Sequence, residues 1–531
     1  MLSENLARYE PYMGTILSSV VAVVVAVLVW NHFNYSIKVD VPTIGVGVRY
    51  TKWVSAVRNI WHARESILEG YKKASETRVP TMTRMDVFIC DRQMTREYST
   101  LGNDQMSFQA VMAEEFQFQH LCPGHQEDPT SIPTTVIAKA LSWQRTRASK
   151  AEDPFFQAFS LEFIHGFQKE MRALTSDNSF SLSSLFGQKG PDPSSGWHAV
   201  TCFPLALKVV ARLTTFSLFG EPLCRDEDFL NMCCSFGDAI PKGAMFLRLW
   251  PGWSRGYVSK MMAAPQLLDK LGAILTKEIA TRREREQNEM KDLLDFALNW
   301  CDTQPGRPYT DEHVCSMMTS TIFAALHTSS QLVVHVIFEL ASRPEYTGPL
   351  RDEVRRCFEE HGTGTKKAID HMYKVDSFIK ETQRVNPLDA SALARLAIKD
   401  YTFSNGLRVP KGSYIFTPNA PIFTDEKFYP EPQRFDGFRF AKMRDDPVLK
   451  SSCDLTATNE QSMHFGIGRH ACPGRFMVSD EVKLAVVHLL QNFDFCIENH
   501  GQRPKNMPFG KFLLPDMRAK IWLKESTVRS E

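Results

Sequence analysis

Cys472 ends the stretch Phe465-Gly466-Ile467-Gly468-Arg469-His470-Ala471 and is followed by Pro473, Gly474 and an apolar run at helical spacing. A cysteine so placed meets the positive end of a helix dipole and its free backbone N–H groups, which stabilise a thiolate. Such a thiolate is a candidate axial ligand to iron. Glycine at 468 and 474 lets the chain turn tightly and approach a flat ligand with no Cβ in the way. Pro473, read as the first helical position, has no N–H to leave unpaired. Phe465 would shield the sulfur from water. At ordinary residue usage, the spacing Phe-x-x-Gly-x-x-x-Cys-x-Gly recurs by chance in roughly one chain of this length in several hundred. Cys122-Pro123-Gly124 repeats the core without the upstream Phe-x-x-Gly and reads as an ordinary cysteine.

Phe465, Gly468, Cys472 and Gly474 together resemble the cysteine loop of the cytochrome P-450 superfamily, the haem-thiolate monooxygenases. The resemblance implies haem b (iron protoporphyrin IX) ligated by Cys472. It also implies that haem propionates meet His470, where most relatives carry arginine, and Arg395 in Leu393-Ala394-Arg395-Leu396. Trp143 and Arg147 match the spacing of another family contact, Trp-x-x-x-Arg, on poorly matching flanks.

These residues need long helices to position them. Thr310, followed by Asp311 and Glu312, is a helix start, with an N-cap hydroxyl and then acids at the positive end of the dipole. The run reaches Ser342 and stops before Pro344. Its middle reads Phe323-Ala324-Ala325-Leu326-His327-Thr328. In the resembling family this is the oxygen-side helix. Small residues there leave room over the haem, and the Thr328 hydroxyl relays protons as general acid–base chemistry requires. His327 replaces the family's acid, so it is either a proton relay or a polar residue orienting the helix.

Glu381 and Arg384 lie three apart, on one helix face. The family buries this pair with an arginine of a Pro-x-Arg-Phe element, matched by Pro432-Gln433-Arg434-Phe435. Arg434 is therefore the expected third member of a triad holding the cysteine loop. By family position, Phe323, Ala324, Leu393 and Phe512 are substrate-pocket candidates, with core packing the alternative for each.

An apolar fraction of 43% fills a sizeable core, and a net charge of +1 without a basic tract argues against nucleic acid. Twelve cysteines without Cys-x-x-Cys spacing indicate neither a zinc site nor a disulfide scaffold. Strand-like text is sparse and late, around 407–410 and 413–417. The expected fold is mainly α with a minor β-sheet region: a cytochrome P-450 fold behind a single N-terminal transmembrane helix. Met13 to Trp30 carries no charge, and no small-x-small cleavage site follows. Residues 1–36 are accordingly expected to be a membrane anchor and 37–531 the catalytic domain. Lys38, Arg49 and Lys52 after the span place that domain in the cytosol, with the anchor in the endoplasmic reticulum membrane. The polar loop 187–196 reads as irregular.

The resemblance implies oxidation of a lipophilic small molecule, and the His327–Thr328 pairing resembles fungal enzymes that oxidise terpenoids and related natural products. Only 59 residues follow Cys472, so a separate NADPH–cytochrome P-450 reductase is the expected partner. An alkaloid or polyketide oxidase, a haem-thiolate isomerase or dehydratase needing no reductase, and a non-catalytic haem carrier or sensor are the alternatives.

Overall fold

The computed structural model describes residues 39–45, 52–123, 135–150, 154–176, 196–284, 290–306, 309–497 and 501–526, with isolated positions between 18 and 25. Most of the expected anchor and most of the 187–196 loop lie outside the described residues. Within the anchor, Ser18, Ser19, Val21, Ala22, Val24 and Val25 are helical and exposed.

Five helices position the site. They are α1 (Thr135–Ala148), α2 (Cys202–Phe219), α3 (Glu227–Leu247), α4 (Asp311–Ala341) and α5 (Tyr373–Val385). A sixth, α6 (Arg475–Asn492), follows the cysteine loop. The start of α4 is as expected: Thr310 precedes it, and its backbone N–H donates to His313 Nδ1 at 3.0 Å. At about 1.5 Å per residue, its 31 residues cross the whole domain. From Ser329 to Ala341 every residue is buried. Helix α2 is apolar on nearly every face, the mark of a core helix. By length and composition α2 and α4 could each cross a membrane, but both are mostly buried.

The sheet content exceeds the expectation and begins earlier. β1 (Glu76–Pro80) and β2 (Met85–Ile89) form a hairpin near the start of the domain. β2 pairs in parallel with Tyr414–Pro418, which pairs antiparallel with Ser391–Ala397. A short apolar run such as Met85-Asp86-Val87-Phe88-Ile89 has no period that separates strand from buried helix. Ser391–Ala397 alternates buried and half-buried residues, as a strand with two unlike faces must. A second sheet joins His198–Thr201, Lys520–Glu525 and Phe493–Ile497.

Candidate active site

The cysteine loop is a tight, hydrogen-bonded turn. The Cys472 N–H donates to the Phe465 carbonyl at 2.7 Å. Gly468 adopts φ +69°, and a Cβ there would lie 3.0 Å from the Ser99 carbonyl oxygen, so this position requires glycine. Gly474 is different. It sits in a right-handed conformation as the N-cap of α6, and a Cβ there would meet Cys472 Sγ at 3.9 Å. The helix thus begins at Arg475, and Pro473 lies in the turn before it rather than at its first position.

Two opposing effects act on the sulfur. Burial pushes the Cys472 thiol pKa up, while the backbone N–H groups of Gly474 and Arg475 and the charge of Arg475 pull it down. Burial is the larger of the two effects. A metal cation held by Cys472 would offset the effect of burial, because coordination deprotonates a thiol outright.

Arg395 is 1% exposed and donates through Nη1 to the Ala394 carbonyl, while its Nε and Nη2 have no hydrogen-bond partner among the described residues. His470 Nε2 is likewise buried and unpartnered. Burial, followed by the charges of Arg395 and Arg469, pushes the His470 pKa down to about 4. Such a cluster of unsatisfied buried donors is costly unless an acceptor arrives. A flat group bearing carboxylates and a metal satisfies both the donors and the sulfur, and haem b fits. The strand carrying Arg395 is bulged between Ala392 and Arg395, with Leu393 at φ +52°. Leu393 is buried in one cluster with Met463 and Ile467, on the cysteine-loop side.

Helix α4 brings the oxygen-side residues to one face. Ala324 and Thr328, one turn apart, are both exposed in the middle of an otherwise covered helix. Thr328 Oγ1 donates to the Ala324 carbonyl at 2.9 Å, which leaves its lone pairs outward. Phe323 packs edge-on against Phe116 and Phe118, with centroids 4.9 and 5.6 Å away. Phe512 is half-buried in a hairpin bridged to Asp389.

His327 turns toward α3. Its Nε2 lies 3.6 Å from Asp238 Oδ1, beyond a hydrogen bond, and Asp238 accepts from Lys242. A Cβ on Gly237 would come within 2.6 Å of the His327 ring, so glycine there makes the berth for the imidazole. His327 thus orients α3 on α4, which favours the second of its two sequence readings. Gly237→Ala is expected to lower stability by about 1–3 kcal/mol through overpacking. His327→Ala in the same chain should restore most of that loss in thermal melts.

Glu381 and Arg384 are fully buried and bidentate, at 2.7 and 2.8 Å. The third member is Arg439 and not Arg434. Arg439 Nε donates to both Glu381 oxygens at 3.2 Å. The Arg434 side chain is exposed and pairs with Glu431 within a turn, and only its carbonyl joins the network, accepting from Arg439 Nη2 at 3.0 Å. Arg384 reaches the loop through the Phe423 carbonyl (2.7 Å), and the Phe423 ring stacks on His464, next to Phe465.

The Trp143–Arg147 pair faces elsewhere: Arg147 donates to the Met290 and Lys291 carbonyls. Its neighbour Arg145 lies over the Phe476 ring at 3.7 Å, beside a 270 Å³ cavity that Arg475 also lines. Sequence reasoning missed Arg145, Arg439 and Gly237. Arg439, in Phe438-Arg439-Phe440, alone had a local signal, a second Arg-Phe step five residues after the first.

The sequence matches the cytochrome P450 family profile over residues 191–523. It is 61% identical to the cytochrome P450 monooxygenase ltmQ of Epichloe festucae var. lolii, covering 100% of this chain and 99% of the relative. The cytochrome P450 monooxygenase terQ of Tolypocladium album is 60% identical, over 99% and 96% of the two chains. The cytochrome P450 monooxygenase paxQ of Penicillium paxilli is 39% identical, over 95% and 96%.

Proposed function

Because the chain belongs to the cytochrome P450 family and is a haem-dependent monooxygenase, we propose that it hydroxylates or further oxidises a lipophilic, terpenoid-type natural product at a membrane. When bound, haem supplies the activation of dioxygen and the oxidation of the C–H bond. Cys472 would ligate the iron and push electron density toward it. Arg395 would neutralise a propionate and His470 would hydrogen-bond to one, and Phe465, Gly468 and Gly474 would shape the loop against the macrocycle. Thr328 would accept a proton from the solvent side and pass it on by giving up its bond to the Ala324 carbonyl. Phe323, Ala324 and the Phe116–Phe118 pair would form an apolar wall that orients the substrate and excludes water, with Phe512 a further contact.

Electrons would come from NADPH through a separate cytochrome P-450 reductase. Residues 1–36 would anchor the protein in the endoplasmic reticulum membrane, leaving residues 37–531 in the cytosol. The exposure of Trp253 (80%), Tyr257 (74%) and Met261 (86%) supports contact of the domain itself with lipid.

The reading rests above all on the half-buried Cys472 lying in one loop with His470, whose Nε2, like the Arg395 guanidinium, is unpartnered among the described residues. Co-expression with a reductase and a panel of terpenoid precursors tests it. NADPH-dependent gain of oxygen in one precursor is the expected result. Turnover without NADPH would favour an isomerase, and oxidation of an alkaloid or polyketide alone would reassign the substrate.

A further inference from the structure

Glu481 lies on α6, nine residues beyond Cys472, and is 1% exposed. It sits where three helices meet. Thr214 of α2 donates to its Oε1 at 3.4 Å, and the Ser329 hydroxyl of α4 faces it. Ser329 is the neighbour of Thr328. Glu481 Oε2 and Ser329 Oγ are both buried, and neither has a hydrogen-bond partner among the described residues.

Among the described residues no cation pairs with this carboxyl. Among the titratable groups on the same three helices, Lys483 is held by Asp376 at 2.6 Å, Arg212 by Glu162 at 2.8 Å, and His335 by Arg503 at 2.9 Å. Glu339 is held by Arg503 at 2.6 Å, and His488 packs on the rings of Phe163 and Phe167. Among the described residues, the charged group that bears on Glu481 is Asp480, of like sign. An ionised carboxylate buried without a counter-charge is strongly disfavoured, whereas a neutral carboxylic acid gains an O–H donor. Oε2 and Ser329 Oγ lack that donor.

We propose that Glu481 is a positioning residue which, as a neutral acid, ties the helix after the cysteine to the oxygen-side helix beside Thr328. Its O–H reaches Ser329, its carbonyl oxygen takes the Thr214 hydroxyl, and the spacing between the two faces of the haem site is set at that junction. Ionising Glu481 places a charge between α2, α4 and α6 and loosens the junction. Burial pushes its pKa up to about 8, and Asp480 adds to the rise. The folded value lies above the unfolded one, so the folded state binds the proton more tightly. The stabilisation that Glu481 contributes is therefore full below the ordinary carboxyl range, is lost as pH rises to about 8, and changes no further above that.

Glu481→Gln keeps the shape and both hydrogen-bonding roles but cannot ionise. Melting of the wild-type and variant holoenzymes should diverge in the variant's favour between about pH 5 and about pH 8, then run parallel. The reduced, carbon-monoxide-treated wild type should lose its thiolate-type Soret band on the alkaline side of the same range, while the variant keeps it. In the infrared, a protonated-carboxyl stretch present at neutral pH in the wild type should be missing from the variant. Parallel melting throughout, no change in that stretch, or failure of the variant to fold or hold haem would each overturn the proposal. Only the Soret arm rests on Cys472 as iron ligand; the melting and infrared arms stand without it.

Discussion

Glu381→Gln is expected to strip haem from the protein and to lower its stability by about 3–5 kcal/mol, the cost of leaving buried charge without its partner. Two guanidiniums depend on that one carboxylate. Arg384 uses it through Nε and Nη2, and Arg439 through Nε. Arg439→Ala should act in the same direction, since it also removes the bond to the Pro430 carbonyl (2.6 Å) that ties down the segment before it. Arg434→Ala should stay within about 0.5 kcal/mol of wild type, because it deletes only an exposed ion pair and keeps the carbonyl that the network uses. Haem content per chain and thermal midpoints separate the three variants. Loss of haem in the Arg434 variant with an unaffected Arg439 variant would reverse the assignment.

The second large effect falls on Thr328. With the hydroxyl removed, the open face of α4 has Ala324 and a methyl group but no proton carrier. Product formed per NADPH consumed is expected to drop about 100-fold in Thr328→Ala, near the low end of what a positioned acid–base group contributes. NADPH consumption itself should persist, with its electrons released as reduced oxygen. Thr328→Ser should retain most of the coupling. His327→Ala should lose stability more than coupling, because its ring faces Asp238 across the helix–helix gap. Unchanged coupling in Thr328→Ala would refute the relay.

Much of this arrangement was legible in the residues, and the rest was hidden for physical reasons. The Cys472 loop has fixed spacing because each residue acts on its neighbour, as the Cys472 N–H to Phe465 carbonyl bond shows. Helix α4 announced itself through Thr310, two acids and a long apolar run. The Glu381–Arg384 pair is local, since residues three apart share a helix face. Its third partner is not local. Arg434 and Arg439 lie five residues apart in a turn-rich segment, and only the tertiary fold decides which one is turned inward. His327 posed the same difficulty: its role depends on Gly237, a residue that acts by lacking a side chain and leaves no trace in a helix pattern. Leu393 occupies a bulge with positive φ, which no propensity assigns to leucine. The β1–β2 hairpin was missed because short apolar runs carry no usable period.

The central claim is a coordinate bond from Cys472 sulfur to haem iron. Reduction of the purified full chain under carbon monoxide tests it most directly. Wild type should show the Soret band at the wavelength for which the family is named, and Cys472→Ala should show none there. A wild-type spectrum lacking that band, or a Cys472→Ala spectrum retaining it, would contradict the account.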